Sequence, residues 1–325
     1  MLTRRFLLKA MTAAAAMAAL PRPALALAST PPLTETRLMM GTFVTISISG
    51  VSETHASEAA GKAFSRMAYL EQMLTRFDSA SPLGQLNAAG VLRDAPKELL
   101  LVADAASRMH RTTRGAFDPT ILSLLEIMEQ RAGAELDRKE EAEAAGLIGM
   151  DHVSREGNSL CFMRSGMKMS LDGIAKGYIA DEGARSLRAS GVKDFLINAG
   201  GDIVAQGSKA GVPWRVAVEN PEKYHGKSAY LAVRNLHNEA MATSGTYENI
   251  LDAEGKLNHI LNPSTGRCSP LPGASVVASS AMEADALATA LCVLSQPVAL
   301  VESLPRTACL IQLPDGRLNR SRLWG

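Results

Sequence analysis

Asp285 and Thr289 stand four residues apart in Met282-Glu283-Ala284-Asp285-Ala286-Leu287-Ala288-Thr289, and in a helix that spacing puts both side chains on one face. A carboxylate and a hydroxyl are hard oxygen donors of the kind magnesium takes, although the same pair also suits an ordinary solvent-facing surface. Three glycine-containing segments can bring main-chain amides close to a phosphate, because glycine has no Cβ in the way. They are Gly173 to Gly177, Asn198-Ala199-Gly200-Gly201-Asp202 and Thr243-Ser244-Gly245-Thr246-Tyr247, and each reads equally well as a tight turn. None has the spacing G-x-G-x-x-G or G-x-x-x-x-G-K-[ST], which excludes a Rossmann or P-loop reading. Of the six histidines, His259 stands apart because it precedes Ile260-Leu261-Asn262-Pro263-Ser264-Thr265-Gly266, a strand end running into a turn. A lone histidine is also a common packing or solvated residue.

These groups need a scaffold, and the chain supplies one after its first thirty residues. Thr3-Arg4-Arg5-Phe6-Leu7-Leu8-Lys9, the apolar run Ala10 to Leu20 and the small-residue site Ala26-Leu27-Ala28 read as a twin-arginine export signal cleaved near Ala28. The apolar run is shorter than the roughly 20 residues that span a bilayer. The expected domains are therefore a signal at residues 1–28 and one unit at 29–325 located in the periplasm. Removing Arg4, Arg5, Lys9 and Arg22 turns the formal charge of +1 into about −3, which argues against a nucleic-acid partner. Cys161, Cys268, Cys292 and Cys309 are widely separated, so no metal spacing or disulfide pairing can be read from them.

Period-2 alternation from Thr36 to Ser49 predicts a strand. Ala60, Phe64, Met67, Leu70, Leu74 and Phe77, at three- and four-residue steps, predict an amphipathic helix, and a second runs from about Pro96 to Arg111. The charged stretch Gln130 to Ala145 predicts a solvated helix. Short strands follow around His152, Leu160 and Met167. A helix with Ala180, Ala184 and Leu187 on one face is closed by Gly191. Strands at Phe195 to Asn198, Trp214 to Val218, Tyr230 to Val233 and Ala274 to Ser279 precede one further strong helix, Glu283 to Leu294. No repeat or linker divides the chain, which suggests one α+β unit with mixed sheets flanked by helices.

In order along the chain, Met40-Gly41-Thr42, Gly115-Ala116-Phe117-Asp118-Pro119, Leu171-Asp172-Gly173-Ile174-Ala175-Lys176-Gly177-Tyr178, Asn198 to Asp202, Thr243-Ser244-Gly245, His259 to Gly266 and Glu283 to Thr289 resemble the ApbE family of FAD:protein FMN transferases. The resemblance covers almost the whole chain beyond the signal. It implies a largely antiparallel, tunnelling-fold-like single unit with two lobes. It also implies an FAD site formed by Met40, Phe77, Ala116, Phe117, Asp118, Ser170, Asp172, Lys176, His259 and Leu261. Mg2+ would be held by Asp285, Thr289, the carbonyl of Gly173 and Ala288, with Asp285 and His259 as the catalytic pair. Ser170 and Ala288 stand where the family often has Asp, so water would fill a missing metal position.

The chemistry implied is cleavage of the FAD pyrophosphate by a Thr or Ser hydroxyl of an acceptor protein, with release of AMP. Such a reaction needs charge neutralisation, from Mg2+ and Lys176, and a general base, for which His259 is the candidate. This chain shows no acceptor segment of the Asp-Gly-x-Thr/Ser-x-Ala-Thr type, so the partner is another protein, expected to be a respiratory membrane protein. Two alternatives remain at this level. One is an FAD pyrophosphatase using water as nucleophile, and the other is an exported FAD-binding protein without activity.

Overall fold

The computed structural model describes residues 31–131, 138–223, 228–252 and 257–325. The expected export signal at 1–28, Asp137 of the charged stretch and His225 lie outside them. In chain order, β1 (Leu33–Met39) and β2 (Thr42–Ser49) are followed by α1 (Glu53–Leu74), α2 (Pro82–Ala89), β3 (Val91–Leu92) and α3 (Lys97–Thr112). Next come α4 (Leu122–Gln130), α5 (Arg138–Ala145), β4 (Val153–Glu156), β5 (Ser159–Phe162) and α6 (Ala175–Ala189). The remainder holds β6 (Asp194–Ala199), β7 (Asp202–Gln206), β8 (Trp214–Glu219), β9 (Tyr230–Leu236), β10 (Glu239–Gly245), β11 (Gly273–Ala278), α7 (Ala281–Leu291), α8 (Pro297–Glu302), β12 (Ala308–Gln312) and β13 (Leu318–Arg320).

Eight strands form one sheet in the order β1-β2-β6-β7-β10-β11-β12-β13, with small sheets β3-β5-β4 and β8-β9 beside it. Every pairing among the described strands is antiparallel, so the α+β class holds without the mixed character expected for its sheets. Helices cover one face of the large sheet. Phe64, Met67, Leu70 and Leu187 of α1 and α6 pack against Ile46, Phe195 and Ile197, while Leu287 and Leu291 of α7 pack against Ala274, Val276 and Ile311. The β8–β9 hairpin covers the other face: Trp214, Val216 and Val218 alternate inward and meet Ile203, Met241, Val277 and Leu310. β11, enclosed by both layers, is buried at every residue. No helix among the described residues is long and apolar enough to cross a membrane.

Three expectations change. The single strand over Thr36–Ser49 is two strands, because Met40 and Gly41 both adopt positive φ and turn the chain in a two-residue hairpin with Met39 opposite Thr42. Phe77 lies beyond the end of α1 and is 77% exposed, so it does not belong to the buried stripe of that helix. Met167 is buried but belongs to no strand.

The register brings several turns to one end of the large sheet. Thr42 begins β2, the turn Gly200-Gly201 joins β6 to β7, and β10 finishes at Ser244-Gly245 opposite the start of β11. Gly200, at positive φ, lies so close to Thr42 that a Cβ there would meet its hydroxyl at 2.6 Å. The turn carrying Asp202 is thereby locked to the turn carrying Met40.

Candidate active site

At this sheet end α6 and α7 begin against each other. A Cβ on Gly177 would fall inside the carbonyl of Ala281, so only glycine lets the two helices approach this far. Asp285, 3% exposed, points back from α7 and accepts the Gly177 amide on Oδ2 at 3.1 Å. The carboxylate therefore sits at the positive end of α6. Thr289, one turn further, meets Ser244 Oγ at 3.2 Å, and Gly173 lies against its hydroxyl, since a Cβ there would approach Oγ1 to 3.0 Å. The i, i+4 pair does share a face, and that face is turned inward at Asp285 rather than toward solvent.

Lys176 is the cation of the site. Its ammonium lies 3.3 Å from Asp202 Oδ2, a carboxylate oxygen that is fully buried and makes no aligned hydrogen bond. Asp202 holds the lysine charged by raising its pKa, assisted by Asp285. Burial pushes the carboxyl groups of Asp202 and Asp285 above the usual carboxylate range. Lys176 opposes the rise at both, and mutual repulsion adds to it at Asp285. Two buried carboxylates thus face one ammonium, and Asp285 receives a single main-chain amide, on Oδ2. A divalent cation fits that imbalance: Asp285 and the Thr289 hydroxyl offer hard oxygens, and Gly173 offers a carbonyl. No three His, Cys, Asp or Glu side chains among the described residues are grouped to hold a metal by themselves. The remaining positions would fall to phosphate oxygens and water.

His259 is half-buried, with Nδ1 3.3 Å from the Asn249 carbonyl. Burial lowers its pKa, and Lys176 lowers it further, so the ring is neutral and can accept a proton at physiological pH. Asp172 is an exposed carboxylate on the adjoining loop, held by Arg76 Nε at 2.6 Å. The Arg76 guanidinium stacks on the Phe77 ring at 4.2 Å, leaving an exposed aromatic surface at the rim. Met40, at the hairpin turn, donates its amide to Glu71 Oε1 at 2.6 Å.

The side chains of the other expected site residues bond or pack within the fold. Asp118 is buried and accepts bonds on Oδ1 from the amide and hydroxyl of Thr120 and on Oδ2 from the amide of Met150, with His110 Nδ1 3.2 Å away. Its carboxylate braces the 115–121 loop. Phe117 is buried with its ring beneath Gly173, and Ala116 packs on the main core. Ser170 Oγ accepts the Asp172 amide at 3.0 Å. Leu261 packs with Leu122, Leu124 and Leu125, and Ala288 is fully buried in the α7 core, where its methyl group brings no donor atom.

Asp202 was not among the expected site residues, although it is the acid that ends the glycine segment Asn198 to Asp202, read as a candidate phosphate turn. Ser244 lay within a proposed phosphate segment without a role. Arg76 and Asp181 carried no sequence signal, because their partners lie about a hundred residues away.

The model described as the ApbE family matches residues 40–311. A protein of Klebsiella pneumoniae named FAD:protein FMN transferase is 28% identical over 271 residues, which cover 78% of this chain and 76% of that protein. An FAD:protein FMN transferase of Escherichia coli K12 is 28% identical over 269 residues, 78% of this chain and 76% of its own. Among solved structures, the ApbE protein of Thermotoga maritima superposes with a TM-score of 0.81 at 27% identity, over 90% of this chain and 98% of the other. The apo flavinyl transferase ApbE of Pseudomonas stutzeri gives 0.79 at 24% identity, over 92% and 97%, a likeness of fold.

Proposed function

The chain belongs to the ApbE family, and on that premise we propose that it is an exported, Mg2+-dependent enzyme that transfers FMN from FAD to a Thr or Ser hydroxyl of another protein and releases AMP. The observation that carries this reading is the pair of buried carboxylates, Asp202 and Asp285, gathered round the single ammonium of Lys176 beside the Thr289 hydroxyl. A site so rich in uncompensated oxygen charge is suited to a cation and a pyrophosphate together.

Bound Mg2+ would neutralise charge on the non-bridging phosphate oxygens. Lys176 adds a second positive charge, released from Asp202 toward the phosphate. Phe77 offers an exposed ring for stacking, and the Met40 turn is docked against the turn carrying Asp202. His259, held neutral, takes the proton of the acceptor hydroxyl. The hydroxyl oxygen forms a bond to the FMN phosphorus, the bond from that phosphorus to the bridging oxygen breaks, and AMP leaves with that oxygen.

Export is part of the proposal. Arg4-Arg5 and the Ala26-Leu27-Ala28 site support delivery to the periplasm, and an acceptor in the respiratory membrane would be met there. Replacing Arg4 and Arg5 by Lys is expected to retain the precursor in the cytoplasm, and unchanged export contradicts it. The enzymatic test incubates the protein with FAD, Mg2+ and an exported domain carrying an acceptor motif. The acceptor is expected to gain the mass of an FMN ester. Steady release of FMN and AMP with no mass added to the acceptor makes the protein a pyrophosphatase instead.

A further inference from the structure

Asp181 lies in α6 one turn beyond Gly177, and Asp285 lies in α7 one turn beyond Ala281. The two helices use these residues reciprocally. Asp181 Oδ1 accepts the amide of Ala281 and its Oδ2 accepts that of Met282, each at 2.9 Å, while Asp285 Oδ2 accepts the amide of Gly177 at 3.1 Å. Each helix therefore has N-terminal amides satisfied by a carboxylate from the other. Ile174, the N-cap of α6, makes no side-chain cap bond, and Ser280, the N-cap of α7, takes only the amide of Glu283.

This arrangement fixes more than helix ends. The first residues of α7 can move relative to α6 only if the two Asp181 bonds break, and Asp285 and Thr289 travel with α7. Gly177 marks how close the helices already are in the other direction, since a Cβ built there would lie 2.2 Å from the Ala281 carbonyl oxygen. We propose that Asp181 is a positioning residue for the cation site: by docking the start of α7 on α6 it sets the distance of Asp285 and Thr289 from Lys176 and Gly173. This rests on the reading of that site as a Mg2+ site. Asp181 itself is too far along α6 to be a ligand and is committed to its two amides.

The Asp181→Asn substitution keeps the shape and one acceptor oxygen but turns an NH2 group toward the second amide. Mg2+ is titrated calorimetrically into the FAD-loaded parent and variant, with FAD binding measured separately without Mg2+. The Mg2+ dissociation constant is expected to rise about 10- to 100-fold, the range for residues that orient metal ligands. FAD affinity without Mg2+ is expected to stay within about twofold, and transfer to recover as Mg2+ is raised to saturation. A plain helix cap would lower the thermal midpoint and leave Mg2+ affinity unmoved, and that result overturns the proposal. If Asp181→Asn does not fold, Asp181→Thr is titrated in its place, and failure of both to fold also overturns it. A parent that binds no Mg2+ sinks the Mg2+ reading underneath. A parent that binds, with a variant that binds equally, removes only the role of Asp181.

Discussion

Asp118 and Asp285 are both buried carboxylates near the start of a helical segment, yet their surroundings are opposite. Asp118 accepts three hydrogen bonds from the chain around it and has His110 at hand. Asp285 accepts one amide and faces a second carboxylate, Asp202, whose Oδ2 has no aligned hydrogen-bond partner and lies 3.3 Å from the Lys176 ammonium. Burying a carboxylate is costly unless its oxygens are satisfied. Asp118 meets that requirement with the protein alone and braces a loop. The Lys176 region does not meet it with the chain's own hydrogen bonds, and a bound cation would supply the balance under the proposed function. A count of satisfied oxygens separates scaffold from site where residue type and burial do not.

The sharpest way to break this contrast is Asp285→Ala. Removing the buried carboxylate is expected to reduce Mg2+-dependent transfer by on the order of 10³-fold or more, since several kcal/mol of charge stabilisation depend on it. The fold is expected to survive the loss of one cap bond, worth about 1 kcal/mol. Near-parental activity in saturating Mg2+ would falsify the assignment. An unfolded variant would make Asp285 a cap like any other.

Next in size is His259→Ala, expected to slow transfer by about 10²- to 10⁴-fold while FAD still binds. Burial lowers the pKa of this histidine, so its basic form persists below the ordinary value of about 6.5. The transfer rate should hold through neutrality and fall only below that value. A rate already declining between pH 8 and pH 7 would point to another base.

On the scaffold side, Asp118→Ala leaves the amides of Thr120 and Met150 without their acceptor. The expected loss is about 3 kcal/mol of stability, seen in denaturant unfolding, with kcat at saturating FAD retained. A collapse of kcat in folded protein would move Asp118 into the site. The smallest effect belongs to His110, whose pKa is raised chiefly by its bond to Asp118. A raised histidine adds stability that is complete below its unfolded pKa, near 6.5, and is lost as pH rises through the higher folded value. His110→Gln should therefore cost up to about 1 kcal/mol at pH 6 and less at pH 9. An equal cost at both pH values would show that the charge is not involved.

Local signals in the sequence reached some of this. The helices at Ala180–Leu187 and Glu283–Leu294, and the strands at Phe195, Trp214 and Ala274, were legible because periodicity and caps agree there with the tertiary structure. β7 and β10 were not, because Asp202-Ile-Val-Ala-Gln206 and Glu239-Ala-Met-Ala-Thr-Ser-Gly245 are short and owe their state to neighbours on both sides. The Met40 turn was hidden because methionine is not a turn former, and its positive φ is imposed by the hairpin. Asp285 and Thr289 were legible as a pair. Their burial was not, since it depends on the approach of α6 at Gly177. The partnerships Lys176–Asp202, Asp181–Ala281 and Arg76–Asp172 join residues 26 to 100 positions apart, beyond any local pattern.

The most direct test of the central claim is intact-mass analysis of an acceptor domain after incubation with FAD, Mg2+ and either the parent or Asp285→Asn. The asparagine keeps an oxygen for the Gly177 amide while it removes the charge and replaces the other oxygen by an NH2 group. The expected result is complete FMN addition by the parent and almost none by the folded variant. Equal addition by both would contradict the claim that the under-satisfied carboxylates round Lys176 are the catalytic site.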